Sequence, residues 1–311
     1  MAPVLRRRLA AAILALTVVA VAAGCEQPAE DAAMTDGLLV LSGDVGSVTL
    51  RVREGGRGRR IELPDPATSW VAAGRANVLL ATLVDGRTYV SGPLGDEDLE
   101  WRLVEPVTLT DLPPQPPLFF GTWDPPGAAY AQLGADFSDG GGMRAVVVDP
   151  ALEQAVEVAV EDGQAAPAPA AWIDDDRVVI VAAAGDDGEA VIVDSATLET
   201  QSGPGGVRLV ATSADASTAA VWRGSGEPVE IQSTESWLAE QPASIRIDVP
   251  DGAAGPAVMA LDAEGERLAV VWSDGGGTPL GIAVYAASSN WGRVASLELG
   301  EAAAATVAWL R

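Results

Sequence analysis

The sequence predicts an all-β fold assembled from repeated four-stranded sheets, and three observations predict it. From Gly37 onward, short β-branched apolar runs alternate with Gly, Asp and Pro punctuation every few residues, which reads as strands joined by tight turns. The same order of elements recurs along the chain at a nearly constant interval. No convincing amphipathic helix interrupts that stretch.

Each of four segments holds an apolar run, a Gly and Asp turn, a second apolar run closing on a polar residue, and a further alternating strand, and the earlier stretches follow the pattern more loosely. One unit reads "AWIDDD", "RVVIVAAA", "GDDG", "EAVIVDSATLE"; the last full one reads "AVMALDAEGE", "RLAVVW", "SDGGG", "TPLGIAVYA", "RVASLELG". The central turns near Asp44, Asp85, Asp139, Asp186, Ser225 and Asp274 stand 41, 54, 47, 39 and 49 residues apart. The pattern resembles bacterial β-propellers of the WD40-like group, whose blades take roughly 40 to 50 residues. The resemblance covers nearly all of Gly37 to Arg311 and lies in repeat length and strand phase. No Gly-His or Trp-Asp signature recurs, and Trp123-Asp124 falls at an expected strand start. Six central turns predict a six-bladed ring, with seven blades as the alternative.

Strand chemistry supports the assignment independently. Fourth strands such as "AVEVAVE" (Ala155 to Glu161) and "SIRIDV" (Ser244 to Val249) alternate apolar with charged residues, as outer strands with one wet face do. Second strands such as "VVIVAAA" (Val178 to Ala184) are continuously apolar and belong between neighbouring blades. Trp70, Trp123, Trp172 and Trp309 recur at the first-strand phase and read as blade-to-blade packing. The C-terminal "ATVAWLR" is a first strand with nothing after it, whereas the unit starting at Gly37 lacks one. Pairing the two closes the ring and removes an open sheet edge. The proline-rich "LPPQPPL" and "APAPA" fall between blades, where Pro costs no ladder hydrogen bonds.

The 311 residues are 48% hydrophobic, so a sizeable core is expected. The 19 basic residues are all Arg, there is no His, and 44 acids bring the net charge to −25. Such a balance argues against nucleic acid as a partner. The missing His excludes Ser-His-Asp and Cys-His catalysis and His-ligated metals, leaving carboxylate, Tyr, Ser or Arg chemistry.

The first residues read as a targeting segment: Arg6, Arg7 and Arg8 precede an uncharged run from Leu9 to Ala23, shorter than the roughly 20 residues of a spanning helix. Cys25 is the only cysteine, so it makes no internal disulfide. Ala22-Ala23-Gly24-Cys25 resembles the lipobox of bacterial lipoproteins, with Ala22 where that family favours Leu. The resemblance implies cleavage between Gly24 and Cys25 and lipidation of Cys25. The expected organisation is a lipoprotein signal peptide over 1–24, a flexible acidic tether over 25–36 and a propeller domain over 37–311. Removing three arginines and no acid leaves 16 Arg against 44 acids, a net charge of −28. That charge is repelled by anionic lipid, so attachment would depend on the acyl chains.

Four residues form the candidate ligand face. Asp139 and Asp274 sit in two copies of Ser-Asp-Gly-Gly-Gly; with Asp186 and Asp187 they offer carboxylates on the face bearing second-to-third-strand turns, a potential calcium ligand set. No EF-hand spacing is present, and Gly with Asp equally serves any hairpin turn. Trp222 and Trp272 directly precede the central turns of two adjacent units, where flat aromatics suit a sugar or peptide. "WIDDDR" places Asp174, Asp175 and Asp176 together on the opposite face.

The function expected is a monomeric lipoprotein, exported and anchored through Cys25 to the outer face of the cytoplasmic membrane. Its propeller would be a non-catalytic, cofactor-free scaffold for an envelope protein, peptide or glycan. The alternatives are a carboxylate-dependent propeller enzyme of glycosidase or lyase type, and a calcium or solute sensor partner.

Overall fold

A computed structural model describes residues 37–44, 46–47, 49–54, 57–73, 78–83, 88–91, 100–103, 118–123, 130–136, 142–149, 154–160, 171–182, 188–197, 199–299 and 304–309. Among the described residues the strands form six four-stranded sheets, every pairing antiparallel. The first sheet orders its strands β24 (Ala304–Trp309), β1 (Leu38–Gly43), β2 (Thr49–Glu54) and β3 (Arg57–Glu62). The second holds β4 (Ala67–Ala73), β5 (Val78–Leu83), β6 (Thr88–Ser91) and β7 (Trp101–Leu103). The third holds β8 (Leu118–Trp123), β9 (Tyr130–Asp136), β10 (Gly142–Asp149) and β11 (Gln154–Val160). The fourth holds β12 (Ala171–Trp172), β13 (Arg177–Ala182), β14 (Glu189–Asp194) and β15 (Thr200–Gly205). The fifth holds β16 (Leu209–Thr212), β17 (Thr218–Trp222), β18 (Val229–Ser233) and β19 (Ile245–Ile247). The sixth holds β20 (Gly255–Leu261), β21 (Arg267–Ser273), β22 (Pro279–Ala286) and β23 (Gly292–Glu298).

Side-chain period explains which strand lies where. Second strands are apolar at successive positions and are buried on both faces: Leu38 to Leu41, Val178 to Val181, Ala219 to Val221 and Leu268 to Val271 are all at most 2% exposed. Fourth strands β15 and β23 present mostly exposed residues. The first strands touch in succession, β4 beside β8, β8 beside β12, β12 beside β16, β16 beside β20, β20 beside β24 and β24 beside β4. β24 also pairs with β1 along its whole length, from Leu38 opposite Trp309 to Gly43 opposite Ala304. The C-terminal strand thus completes the sheet that the N-terminal strands begin.

Polar ties cross between sheets where strand ladders cannot. The Thr212 hydroxyl donates to the Trp172 carbonyl at 2.7 Å, Arg223 Nη1 to the Gly205 carbonyl at 2.6 Å, and the Trp101 indole N–H to the Glu62 carbonyl at 3.1 Å. A buried cluster including Val181, Ile192, Val210, Ile231, Trp237, Leu268 and Tyr285 runs continuously through the fourth, fifth and sixth sheets.

The structure departs from the sequence expectation in three places. A one-turn helix, α1 (Thr234–Leu238), follows β18. It is too short to show an amphipathic period, and it forms because Ser233 caps it by accepting the Ser236 N–H while Trp237 is fully buried. The fourth strand of the fourth sheet lies at "TQSGPG", beyond "EAVIVDSATLE", and joins through a register shift between Glu189 and Val191. Its Gly and Pro residues hide it from any propensity argument. Trp123 ends β8 instead of starting it.

Candidate functional site

Cys25, Gly24 and Asp139, together with Asp186 and Asp187, lie outside the described residues. The other candidates sit at one end of the fifth and sixth sheets. Trp222 closes β17 and Trp272 lies one residue before the end of β21, so the topology brings both rings to the corresponding ends of adjacent sheets, as their shared phase implies.

The two rings have different surroundings. Trp222 is half-buried, and its indole N–H donates to the Glu227 carbonyl at 3.2 Å. The ring lies against Gly255, the first residue of β20: a β-carbon on Gly255 would stand 2.7 Å from Trp222 Cη2 and 2.9 Å from Cε2. Glycine is therefore required for this close approach. Trp272 is 4% exposed and packs edge to face against Tyr285, with ring centroids 6.5 Å apart and planes at 86°. Burial raises the pKa of the Tyr285 hydroxyl, while the Trp272 side chain and the Arg293 charge oppose the rise. Both tryptophans contribute to packing at this end, and Trp272 offers no open ring face.

Asp274 organises its own turn. Its Oδ1 accepts the N–H groups of Gly276 at 2.8 Å and Thr278 at 2.9 Å, and its N–H donates to the Thr278 carbonyl at 3.0 Å. Gly277 takes φ +82°, the left-handed conformation that the turn requires. The same device serves the first-to-second-strand loops. Asp174 Oδ1 accepts from the Asp176 and Arg177 N–H groups while Oδ2 pairs with the Arg177 guanidinium. Asp262 accepts from Glu266 and Arg267 and pairs with the Arg267 guanidinium at 2.8 Å. In the fifth sheet Ser213 takes over, accepting the Thr218 N–H and donating its hydroxyl to Asp215 at 2.6 Å.

Hydrogen bonds favour the ionised form at two other turn carboxylates, Asp194 and Asp215. The Thr197 N–H, with the Thr197 hydroxyl, the Ala196 N–H and the Arg177 charge, holds Asp194 below the ordinary Asp range against the opposing effect of burial. The Ser213 hydroxyl, aided by Ser217, does the same for Asp215. Both sit in turns that they cap. Among the described residues no group of three or more Cys, Asp or Glu side chains converges as a metal ligand set.

The six first strands, "AATVAW", "ATSWVAA", "LFFGTW", "AW", "LVAT" and "GPAVMAL", hold not one ionisable residue. These six described strands therefore contribute no acid or base to the ring that they form by touching in succession. Charge collects instead at the rim of the first sheet, where β2 and β3 read "TLRVRE" and "RGRRIE". Neither turn chemistry nor aromatic phase flags this hairpin. Its signal is compositional: five arginines between residues 51 and 60 of a chain whose net charge is −25.

Comparison with solved structures settles the fold. The crystal structure of TolB from Acinetobacter baumannii superposes with a TM-score of 0.57 over 88% of this chain, at 13% identity. A structure of the nidogen/laminin complex superposes with a TM-score of 0.54 over 87% of this chain and 98% of the matched chain, at 10% identity. Both neighbours are β-propellers.

The fold is that of a β-propeller.

This chain spans 66% of the length of the TolB chain. At these identities the likeness concerns the propeller scaffold alone. No protein-family model matches the sequence, and no curated protein matches it. No helix of the described residues is long and apolar enough to cross a membrane.

Proposed function

We propose that this chain is a membrane-anchored extracytoplasmic lipoprotein whose propeller is a non-catalytic binding scaffold for an envelope protein, peptide or glycan. In this reading residues 1–24 are the signal peptide, residues 25–36 the tether and residues 37–311 a monomeric six-bladed ring. The six sheets are its blades, and the succession of first-strand contacts through β24 supports closure.

The observation that carries the non-catalytic assignment is the composition of the six first strands. A glycosidase or lyase on this fold needs two or three carboxylates converging on the channel at acid and base separations, and these strands supply none. The rigid ring instead offers loop ends and outer edges on which a partner can dock. A β-propeller neighbour occurs in a nidogen/laminin complex, which is consistent with such use.

Metabolic labelling with palmitate tests the anchor: the native chain is expected to carry label and Cys25→Ser to carry none, and absence of label from both sinks the lipoprotein assignment. The scaffold is tested by incubating purified protein with glycoside and polyuronate substrates. Turnover above background by the native chain sinks the non-catalytic assignment.

A further inference from the structure

The strongest charge anomaly lies on the outer hairpin of the first sheet. Arginines 51, 53, 57, 59 and 60 fall within ten residues that contain one acid, Glu54. They are five of the 16 arginines that follow Cys25. The hairpin alternates as an edge should: Leu50, Val52 and Ile61 are buried, whereas Arg51 and Arg60 are exposed. Arg51 stands directly opposite Arg60 in the ladder, and Arg53 lies two positions along the same strand, opposite Gly58.

Directly opposed like charges destabilise a sheet. Neither Arg51 nor Arg60 forms an ion pair within the described structure, although the chain carries 44 acids. Folding alone gives no reason to place two unneutralised guanidinium groups face to face. An external anionic surface does.

We propose that the β2–β3 hairpin is a docking surface for anionic phospholipid headgroups, and that it sets the first sheet against the membrane. The proposal rests on lipidation of Cys25. Eleven residues lie between Cys25 and Gly37, a reach of at most about 40 Å. The chain leaving the tether enters β1, which pairs with β2, so the sheet nearest the anchor in sequence is the sheet that carries the arginines. A bilayer with anionic lipid repels the protein's net charge but attracts this edge, and each basic residue near the surface adds to binding. The two effects together orient the ring with its acidic remainder away from the lipid. An outward face that exposes Arg51 and Arg60, with Leu50, Val52 and Ile61 buried behind it, suits a diffuse headgroup layer better than a pocketed ligand.

The test is flotation of the full-length protein with vesicles of phosphatidylcholine alone and with vesicles containing phosphatidylglycerol, at low and high salt. The native chain is expected to favour the anionic vesicles at low salt and to lose that preference at high salt. Arg51→Gln with Arg60→Gln should lower the preference by about fivefold for each arginine removed, and Arg51→Lys with Arg60→Lys should retain it. Arg293→Gln removes one exposed positive charge from β23, the outer strand of another sheet, and should leave the preference unchanged. All variants share one N-terminus, so the signal-peptide arginines cancel in the comparison. Palmitate labelling of the same preparations reports Cys25 separately, which separates failure of docking from failure of lipidation. Equal preference in the native and Gln variants overturns the proposal and leaves the arginines as guards of an exposed edge. Binding to polyglutamate without any preference for anionic vesicles overturns it in favour of an acidic protein partner.

Discussion

Trp309 donates its indole N–H to the carbonyl oxygen of Ala260 at 2.9 Å. The bond ties the last strand, β24, to β20 of the preceding sheet, and the Arg267 guanidinium lies 4.3 Å above the Trp309 ring. One side chain thus holds the seam between the sixth sheet and the first. Trp309→Phe removes the hydrogen bond and should cost about 1 kcal/mol. Trp309→Ala also empties the packing volume and should cost about 3 to 5 kcal/mol. Deleting Thr306 to Arg311 removes most of β24 and should lower the melting temperature further. A melting curve unchanged by the deletion would contradict closure through this strand.

Gly255 and Trp222 are a second coupled pair. Gly255→Ala forces a methyl group into the Trp222 ring and should destabilise the fold by about 1 to 3 kcal/mol. In a Trp222→Leu background the same change should cost much less, because the obstructing ring is gone. Chemical denaturation of the four proteins in this cycle measures the coupling, and strictly additive effects would show that the contact is not tight.

Asp262 and Asp174 are repeat-equivalent, and each pairs with the arginine that opens the following strand. Their surroundings differ: the Asp262 side chain is 5% exposed and that of Asp174 is 39% exposed. Asp262→Ala should cost about 1 to 3 kcal/mol, because it leaves the Glu266 and Arg267 N–H groups without their buried acceptor, and Asp174→Ala no more than about 1 kcal/mol. Equal losses would mean that turn capping, which the two residues share, outweighs their difference in burial.

Acid sensitivity follows from the turn-capping carboxylates. Asp194 and Asp215 have pKa values below the ordinary 3.8 in the folded state, so near that pH the unfolded chain binds more protons than the folded one. Their contribution is therefore complete above the unfolded pKa and is lost as pH falls through the lowered folded values. The chain has no His, so no imidazole adds a step near neutrality. Melting temperature measured against pH should fall below about pH 4, and Asp215→Asn should fall less steeply there. Identical acid limbs for the two proteins would remove Asp215 from this account.

Much of the architecture could be read before any coordinate. The two-residue period of outer strands, the continuous apolar second strands and the recurring turns placed nearly every strand. Even the C-terminal "ATVAWLR" revealed its partner, because a first strand without a sheet implies a sheet without a first strand. The candidate site was less legible. The repeated Ser-Asp-Gly-Gly-Gly marks a turn position reliably, but whether its carboxylate serves the turn or a ligand depends on which N–H groups surround it. At Asp274 those are Gly276 and Thr278. Trp222 and Trp272 share one sequence phase, yet only neighbouring sheets decide that one covers Gly255 and the other is buried against Tyr285.

By itself the sequence determined the all-β class, the repeat, the strand order and the charge balance, because each follows from local periodicity or composition. Tertiary structure alone decided the opposition of Arg51 to Arg60, the bond from Trp309 to Ala260 and the burial of Trp272. Each depends on residues far apart in sequence or on a strand register that no local pattern fixes.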